Sequence, residues 1–166
     1  MTAPQALPYE IDGWGRGEVW FERARLVWHE LPRPQPAERD RRRRPATRKS
    51  ASEPKRLVRR IEEYFSGVRT SFEEVELEVE GWTPFQLAIL RTLRNVPWGE
   101  VVSYAELARV AGYPRAQRAV GTFCARNRFG LVVPCHRVVA ADGLGSYGSL
   151  GLPYKQRLLA LEGVTV

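Results

Sequence analysis

The chain has 166 residues, of which 43% are hydrophobic, and its formal net charge is +7. This length suits one or two small domains, and the hydrophobic content excludes a chain that is disordered throughout. No run approaches the roughly 20 apolar residues of a membrane span, and no signal peptide is visible. Two cysteines, Cys124 and Cys135, are too few for a disulfide framework and fit a reducing compartment. We therefore expect a cytoplasmic globular protein.

The charge is unevenly distributed along the chain. Residues 1–32 and 61–81 together carry 4 basic and 12 acidic side chains, whereas residues 33–60 carry 12 basic and 3 acidic ones. Residues 82–166 carry 10 basic and 4 acidic side chains. The C-terminal half is therefore the part suited to bind a polyanion such as nucleic acid. A solvated basic surface is the alternative, which charge alone leaves open.

The N-terminal part begins with a predicted hairpin over residues 9–31. Two segments rich in β-forming residues flank a candidate turn at residues 22–24. Residues 32–53 then hold several prolines and four consecutive arginines at 41–44, which predicts a mobile basic loop. The arginines suit a solvated insertion, and the alternatives are contact with phosphates or an import signal.

A helix and a strand complete the predicted N-terminal domain, which spans residues 1–81. The helix runs from Pro54 to Gly67, and four apolar side chains share one of its faces. Valine and leucine alternate with glutamate over residues 74–80, which predicts a half-exposed strand. The apolar face of the helix comprises Leu57, Ile61, Tyr64 and Phe65.

Residues 82–166 are predicted to form a mostly helical domain. The segments at residues 83–86 and 103–106 both match the capping box that begins a helix. A third helix, over about residues 115–126, follows the Gly-Tyr-Pro sequence at 112–114. Two short helices joined in this way are typical of a helix-turn-helix.

One face of this third helix is a candidate DNA contact. Arg115, Arg118 and Thr122 would share that face, while Ala116, Ala119, Val120 and Phe123 would face inward. Helical pairs joined by glycine-containing turns are common, so the pattern by itself leaves an ordinary helical pair open.

Cys135 and His136 interrupt an apolar run at residues 131–139. A thiol is mostly protonated at neutral pH, so a nucleophilic cysteine needs a base or a positive neighbour. Adjacent residues of a strand point in opposite directions, and His136 can act on Cys135 only if the chain turns there. Pro134 permits such a departure. A buried structural cysteine is the alternative.

The residues around Cys135 resemble a known family. Val-Pro-Cys-His-Arg-Val at residues 133–138 is similar to the active-site signature of the O6-alkylguanine-DNA alkyltransferases. Asn127, eight residues before Cys135, resembles the hinge asparagine of that family. Three further stretches agree in order and spacing, and the match is dense over residues 82–163. They are Gly-Glu-Val-Val-Ser-Tyr at 99–104, Arg-Ala-Val-Gly at 118–121 and Leu-Leu-Ala-Leu-Glu-Gly at 158–163.

The resemblance implies a fold and an activity. The fold would be α+β, with a ribonuclease H-like N-terminal domain and a winged-helix-like C-terminal domain. The activity would be direct reversal of DNA damage, in which an alkyl group passes irreversibly from O6-alkylguanine in double-stranded DNA to Cys135. The base would first flip through the minor groove, and O4-alkylthymine is a second candidate lesion. The resemblance implies a monomer that acts once and needs no cofactor, with cooperative binding along DNA left open.

The resemblance also implies roles for individual residues. Cys135 would accept the alkyl group, His136 would act as its base through a water, and Glu162 would hold the imidazole. Asn127 would tie together the two segments that flank it. Arg118 would replace the flipped nucleotide in the stack. Tyr104 would press on the neighbouring phosphate and then bond the guanine edge. Other DNA contacts would come from Arg115, Ala116, Gln117, Ala119 and Thr122.

The alkyl pocket is implied less completely. The carbonyl of Val138 would accept from the guanine amino group. Beyond Tyr147 the spacing to Lys155 departs from the family by one residue. The N–H group within residues 145–151 that meets the guanine oxygen, and the tolerance of bulky alkyl groups, therefore stay open. The expected pocket residues are Tyr104, Pro134, Val138, Tyr147, Gly148 and Ser149.

The residues disfavour a structural metal and three other functions. Some members of the family carry a structural zinc, but the N-terminal domain offers only His29 as a ligand, so we predict no metal. A lesion sensor would lack the acceptor Cys135, and a winged-helix regulator would not need His136 and Glu162. A cysteine hydrolase would not need a DNA-facing helix. The helical position of Cys124 predicts packing and leaves its reactivity open.

Overall fold

The computed structural model describes residues 3–35 and 52–165. The chain divides into two compact units, of which unit 1 comprises Met1–Glu78 with Arg128–Gly130. Unit 2 comprises Val79–Asn127 and Leu131–Val166. Most of the basic loop predicted over residues 32–53, with its four arginines, lies outside the described residues.

A three-stranded antiparallel sheet forms the first part of unit 1. Its strands are β1 (Gln5–Ile11), β2 (Gly15–Glu22) and β3 (Arg25–Arg33), in the order β1-β2-β3. The predicted hairpin is confirmed as β2 and β3, whereas β1 was not predicted as a separate strand. Arg23 and Ala24 connect the hairpin with φ values of 49° and 64°. Two residues with positive φ match the twist of antiparallel strands.

Helix α1 (Ser52–Phe65) belongs to the same unit. Its predicted apolar face is confirmed, because Leu57, Ile61, Tyr64 and Phe65 are all buried. The strand predicted over residues 74–80 is wrong. Only Leu77 pairs, through a single parallel bridge to Leu26. A ladder needs a neighbouring strand along its length, and this segment meets β3 at one position only.

Three residues from the second half of the chain complete unit 1. Phe129 forms a parallel bridge with His29 of β3, and the N–H of His29 donates to the carbonyl of Arg128 at 2.8 Å. The ring of His29 lies between the hydroxyl of Tyr9 and the carbonyl of Gly130, each 2.6 Å from a ring nitrogen. His29 is therefore held at both nitrogens within unit 1.

Unit 2 is mostly helical. The Thr83 hydroxyl accepts from the N–H of Gln86, and the Gln86 side chain accepts from the N–H of Thr83, which confirms the first capping box. Ser103 caps the next helix by accepting from the N–H of Glu106. Short strands β4 and β5 pair in parallel. The elements are α2 (Pro84–Arg94), β4 (Val102–Ser103), α3 (Tyr104–Val110), α4 (Gln117–Ala125), β5 (Val138–Val139) and α5 (Gly151–Leu161).

The third predicted helix begins later than expected. Arg115 has a φ of 71°, which an α-helix cannot accommodate, so Arg115 and Ala116 precede α4. Arg115 therefore does not share a helical face with Arg118. The buried face of α4 is also narrower than the predicted one, because Val120 is buried whereas Ala119 is exposed.

Candidate active site

A tight turn at Pro134 presents Cys135. Pro134 has φ −80° and ψ 64°, and the N–H of Cys135 donates to the carbonyl of Val133 at 2.8 Å. These are the features of an inverse γ-turn, and the proline ring fixes the required φ. A single 3-10 turn, Cys135–Arg137, follows, and strand structure in the apolar run of residues 131–139 is confined to Val138–Val139. The side chain of Asn127 donates to the carbonyl of Val133 at 2.9 Å and braces the turn.

Glu162 lies at the end of α5 and organises the residues after Cys135. Its Oε2 lies 2.5 Å from Nε2 of His136, and its Oε1 accepts from Nε of Arg137 at 2.8 Å. The backbone N–H of Gly99 donates to the same Oε1 at 3.3 Å. Arg137 also donates to the carbonyl of Val96 at 2.7 Å. The imidazole is therefore fixed by a carboxylate that is itself held by hydrogen bonds from Arg137 and Gly99.

The ionisation states follow from these contacts. Burial by itself would raise the pKa of Glu162, but the bonds and charges of His136 and Arg137 outweigh it and lower that pKa to about 2. Burial lowers the pKa of His136, with Glu162 acting in the opposite direction. The imidazole is consequently neutral at neutral pH. Its Nε2 carries the proton donated to Glu162, so Nδ1 is the basic nitrogen.

The thiol of Cys135 is held in its protonated form. Burial raises the pKa of Cys135 well above its usual value, and a hydrogen bond with Cys124 raises it further. The side chain of Asn127 and the charge of Lys155 act in the opposite direction. A buried thiol of this kind needs a neighbouring base to become nucleophilic, and His136 is the adjacent residue.

Lys155 is a site residue that sequence reasoning missed. Its ammonium is fully buried on α5 and donates to three backbone carbonyls. These belong to Val138 at 2.5 Å, Leu144 at 2.6 Å and Ser146 at 3.2 Å. The available signal was a lysine placed three and four residues before Leu158 and Leu159, on the apolar stripe of the helix. Lys155 ties the glycine-rich loop at residues 143–149 to β5.

The expected pocket residues divide into two groups. Tyr147 is half-buried and stacks on Tyr154 with ring centroids 6.2 Å apart. Burial, followed by the charge of Cys135, raises the pKa of Tyr147. Tyr104 packs against Gly145, where an added Cβ would lie 2.9 Å from the Tyr104 hydroxyl. Gly148 and Ser149 are exposed instead.

The expected DNA-binding residues other than Tyr104, which begins α3, lie on or beside α4. Arg118 and Thr122 are exposed one helical turn apart, and the Thr122 hydroxyl donates to the Arg118 carbonyl at 3.2 Å. Ala116 is half-buried and caps the helix without a side-chain bond. Helix α4 thus exposes Arg118 between Gln117 and Ala119. The other exposed members of the set are Arg115, Gln117 and Ala119.

Comparison with known proteins agrees with this geometry. Residues 84–164 match the profile of the DNA-binding domain of 6-O-methylguanine DNA methyltransferase. A methylated-DNA–protein-cysteine methyltransferase of Methanopyrus kandleri is 43% identical over 109 residues, which make up 64% of this chain and 79% of the relative. The chain belongs to the 6-O-methylguanine DNA methyltransferase family.

Other members of this family match at similar levels. A methylated-DNA–protein-cysteine methyltransferase of Metallosphaera sedula is 40% identical over 64% of this chain, and the match spans 66% of that relative, just under two thirds. The crystal structure of Mycobacterium tuberculosis OGT in complex with DNA has a TM-score of 0.76 and 30% identity, covering 96% of this chain and 93% of that one. The mixed α/β fold with a three-stranded antiparallel sheet agrees with this likeness.

Two absences concern only the part of the chain that the structure describes. Within residues 3–35 and 52–165, no group of three or more His, Cys, Asp or Glu side chains is placed to hold a metal ion. No helix in the same residues is long and apolar enough to cross a membrane.

Proposed function

We propose that this chain repairs DNA by transferring the alkyl group of O6-alkylguanine in double-stranded DNA to Sγ of Cys135. The observation that carries the proposal is the buried Cys135 thiol beside a neutral His136 whose ring is held by Glu162. Family membership supports the same activity. DNA binding and alkyl transfer are assigned to residues 82–166, with a winged-helix-like arrangement there and a ribonuclease H-like arrangement in residues 1–81.

The reaction is a single displacement. His136 takes the proton of Cys135 through a water, and the sulfur attacks the alkyl carbon. The carbon–oxygen bond breaks, its electron pair stays with the guanine, and the guanine takes up a proton. The products are a thioether on Cys135 and unmodified guanine. Because the carbon–sulfur bond of a thioether is stable in water, each molecule acts once.

Base flipping accounts for the exposed side chains of α4. The guanine oxygen lies inside the duplex, so the base must leave the stack at a cost of a few kcal/mol. Arg118 fills the vacated space from the minor groove, and Tyr104 contacts the phosphate and then the guanine edge. The Val138 carbonyl accepts from Lys155, and a carbonyl has a second lone pair for the guanine amino group. O4-alkylthymine is the second substrate we propose.

The test is a mass measurement on the acceptor peptide. The protein is incubated with a duplex containing O6-methylguanine and digested with trypsin, which releases residues 129–137 with Cys135. We expect this peptide to gain the mass of one methylene, in a yield that stops at one equivalent. An unmodified duplex and the Cys135→Ser variant are the controls. Binding to the damaged duplex without the gain in mass would contradict the proposal and favour a lesion sensor.

A further inference from the structure

The rings of Tyr147 and Tyr154 stack on each other in unit 2. Their centroids lie 6.2 Å apart and their planes differ by 24°, which is within the range of offset-stacked aromatic pairs. Tyr147 directly precedes the 3-10 turn Gly148–Leu150, and Tyr154 lies in the first turn of α5. Both side chains are half-buried. The stack therefore joins the glycine-rich loop to the helix that follows it.

The backbone on both sides of Tyr147 is held independently of this stack. The N–H of Gly151 donates to the carbonyl of Tyr147 at 3.1 Å, and the ammonium of Lys155 donates to the carbonyl of Ser146 at 3.2 Å. Gly151 has a φ of 82°, a conformation that glycine adopts readily, and it turns the chain from the 3-10 turn into α5. What remains is the direction of the Tyr147 ring, and the stack with Tyr154 restricts it.

Lys155 places the same loop beside β5. Its ammonium donates to the carbonyl of Val138 at 2.5 Å as well as to that of Ser146. Both oxygens are therefore within hydrogen-bonding distance of one nitrogen atom, and Tyr147 is the residue after Ser146. Val138 begins β5, which directly follows the turn Cys135–Arg137. The stacked pair is thus anchored to the segment that carries the acceptor cysteine.

We propose that Tyr154 is a positioning residue that determines which alkyl groups the site prefers, and this inference rests on the proposed function. Tyr154 holds one face of the Tyr147 ring, so that the opposite face forms a fixed, flat wall of the alkyl pocket. An aromatic substituent such as benzyl stacks on that wall and is held in line for attack by Cys135. A methyl group is too small to stack and gains little from the wall. The pair therefore raises the rate of benzyl transfer relative to methyl transfer.

Two duplexes of one sequence, containing O6-methylguanine or O6-benzylguanine, test the proposal on the full chain. Both reactions require DNA binding and base flipping, so the ratio of the two single-turnover rates isolates the effect of the alkyl group. Tyr154→Leu removes the ring but keeps an apolar side chain. It should lower benzyl transfer by about 10-fold, the upper end of what an aromatic pair contributes, and methyl transfer by less than about 2-fold.

Two control variants accompany this measurement. Tyr154→Phe keeps the ring and should behave like wild type with both duplexes. Leu152→Ala removes an exposed apolar side chain from the same turn of α5 and should leave both rates unchanged. The same loss of benzyl transfer in Tyr154→Phe as in Tyr154→Leu would overturn the inference, because the ring would then not be what matters.

A double-mutant cycle tests whether Tyr154 acts through Tyr147. Tyr147→Leu should shift the ratio of rates as Tyr154→Leu does, and the double variant should shift it little further, because the effects of residues in contact are not additive. Additive effects would overturn the positioning role. Tyr147→Leu changes the loop rather than the helix, so an unchanged ratio in this variant overturns the inference even if Tyr154→Leu does not fold. Urea unfolding shows which variants are folded.

The outcomes separate this inference from the proposed function. Equal slowing of methyl and benzyl transfer in Tyr154→Leu would show a structural role only and would overturn the inference, as would two unchanged rates. In both cases wild type still transfers methyl to Cys135, and the proposed function stands. Absence of transfer from either duplex in wild type would refute the proposed function and this inference with it.

Discussion

Nε2 of His136 lies 2.5 Å from Oε2 of Glu162, and neither side chain is exposed. The carboxylate has a pKa of about 2 and therefore stays ionised throughout the range in which the imidazole titrates. A permanent negative charge beside one ring nitrogen fixes the tautomer and makes the other nitrogen a better base. The geometry connects the activity of His136 to a residue 26 positions later in the chain.

Replacing Glu162 with glutamine tests this connection. Glu162 raises the pKa of His136 against the effect of burial, so its neutralisation should lower that pKa further. The acid limb of the pH–rate profile should move to lower pH. The maximal transfer rate should fall by about 100-fold, within the range of general-base effects. Both quantities are measured by single-turnover transfer to Cys135 from about pH 5 to about pH 8, a range that brackets the ordinary histidine pKa. Glu100→Gln, at an exposed carboxylate, is the control, and an unmoved acid limb would refute the role.

Arg118→Ala tests base flipping separately from chemistry. Arg118 is exposed on α4, whereas Cys135 is buried in the turn after Pro134. Loss of an inserted side chain should slow repair of duplex O6-methylguanine by roughly 10- to 100-fold, because unstacking costs a few kcal/mol. Transfer from free O6-benzylguanine should change little. Arg109→Ala, at an exposed arginine of α3, controls for lost charge. Equal slowing with both substrates would contradict insertion.

Lys155→Met tests how the loop at residues 143–149 is held. The change removes the donor shared by three carbonyls while keeping a long side chain. We expect a loss of about 2 kcal/mol in the free energy of unfolding, because buried acceptors are left without partners. Transfer should also slow, since Lys155 lowers the pKa of Cys135. Chemical denaturation and single-turnover transfer measure the two effects. Gln156→Met, exposed on the same helix, should leave both unchanged, and equal behaviour of the two variants would exclude the role.

His29 makes a prediction about acid stability. Burial lowers its pKa to about 4, against an ordinary value of 6.5 in the unfolded chain. The unfolded state therefore binds a proton first as the pH falls, and the free energy of unfolding decreases between pH 6.5 and 4. The full decrease from this residue is about 3 kcal/mol. Above pH 6.5 its contribution is constant.

The measurement compares wild type with His29→Gln. Urea unfolding at several pH values gives a difference curve from which the other titrating groups cancel. The variant should be less stable at pH 7, because it loses the paired bonds to Tyr9 and Gly130. Its disadvantage should shrink as the pH falls. A difference that stays constant with pH would show that His29 does not titrate in this way.

The sequence predicted what depends on neighbouring residues. The capping box at Thr83, the hairpin turn and the apolar face of α1 are local patterns, and each was found. The start of α4 was misplaced because Pro114 is a frequent first residue of helices, whereas here Arg115 takes a positive φ. The strand over residues 74–80 failed because alternation shows which side chains face inward but not whether a partner strand is present.

The candidate site shows the same division. Cys135, His136, Asn127 and Glu162 were predicted through a resemblance that extends over many residues, and the structure pairs His136 with Glu162 and Asn127 with the carbonyl before Pro134. Lys155 was missed because its ammonium donates to backbone carbonyls. Every residue has such a carbonyl, so the residue types in the sequence do not indicate which carbonyls accept.

The inclusion of Arg128–Gly130 in unit 1 has a consequence for folding during synthesis on the ribosome. His29 and Gly130 are 101 residues apart, so His29 of β3 cannot form its bond to Gly130 until most of the chain has been translated. Domains usually fold in the order in which they emerge from the ribosome. Unit 1 cannot complete its folding until Arg128–Gly130, which precede the turn that carries Cys135, have been synthesised. A fragment that stops at residue 81 would keep an unpaired strand edge, which favours aggregation. Expression trials should therefore use the uncut chain.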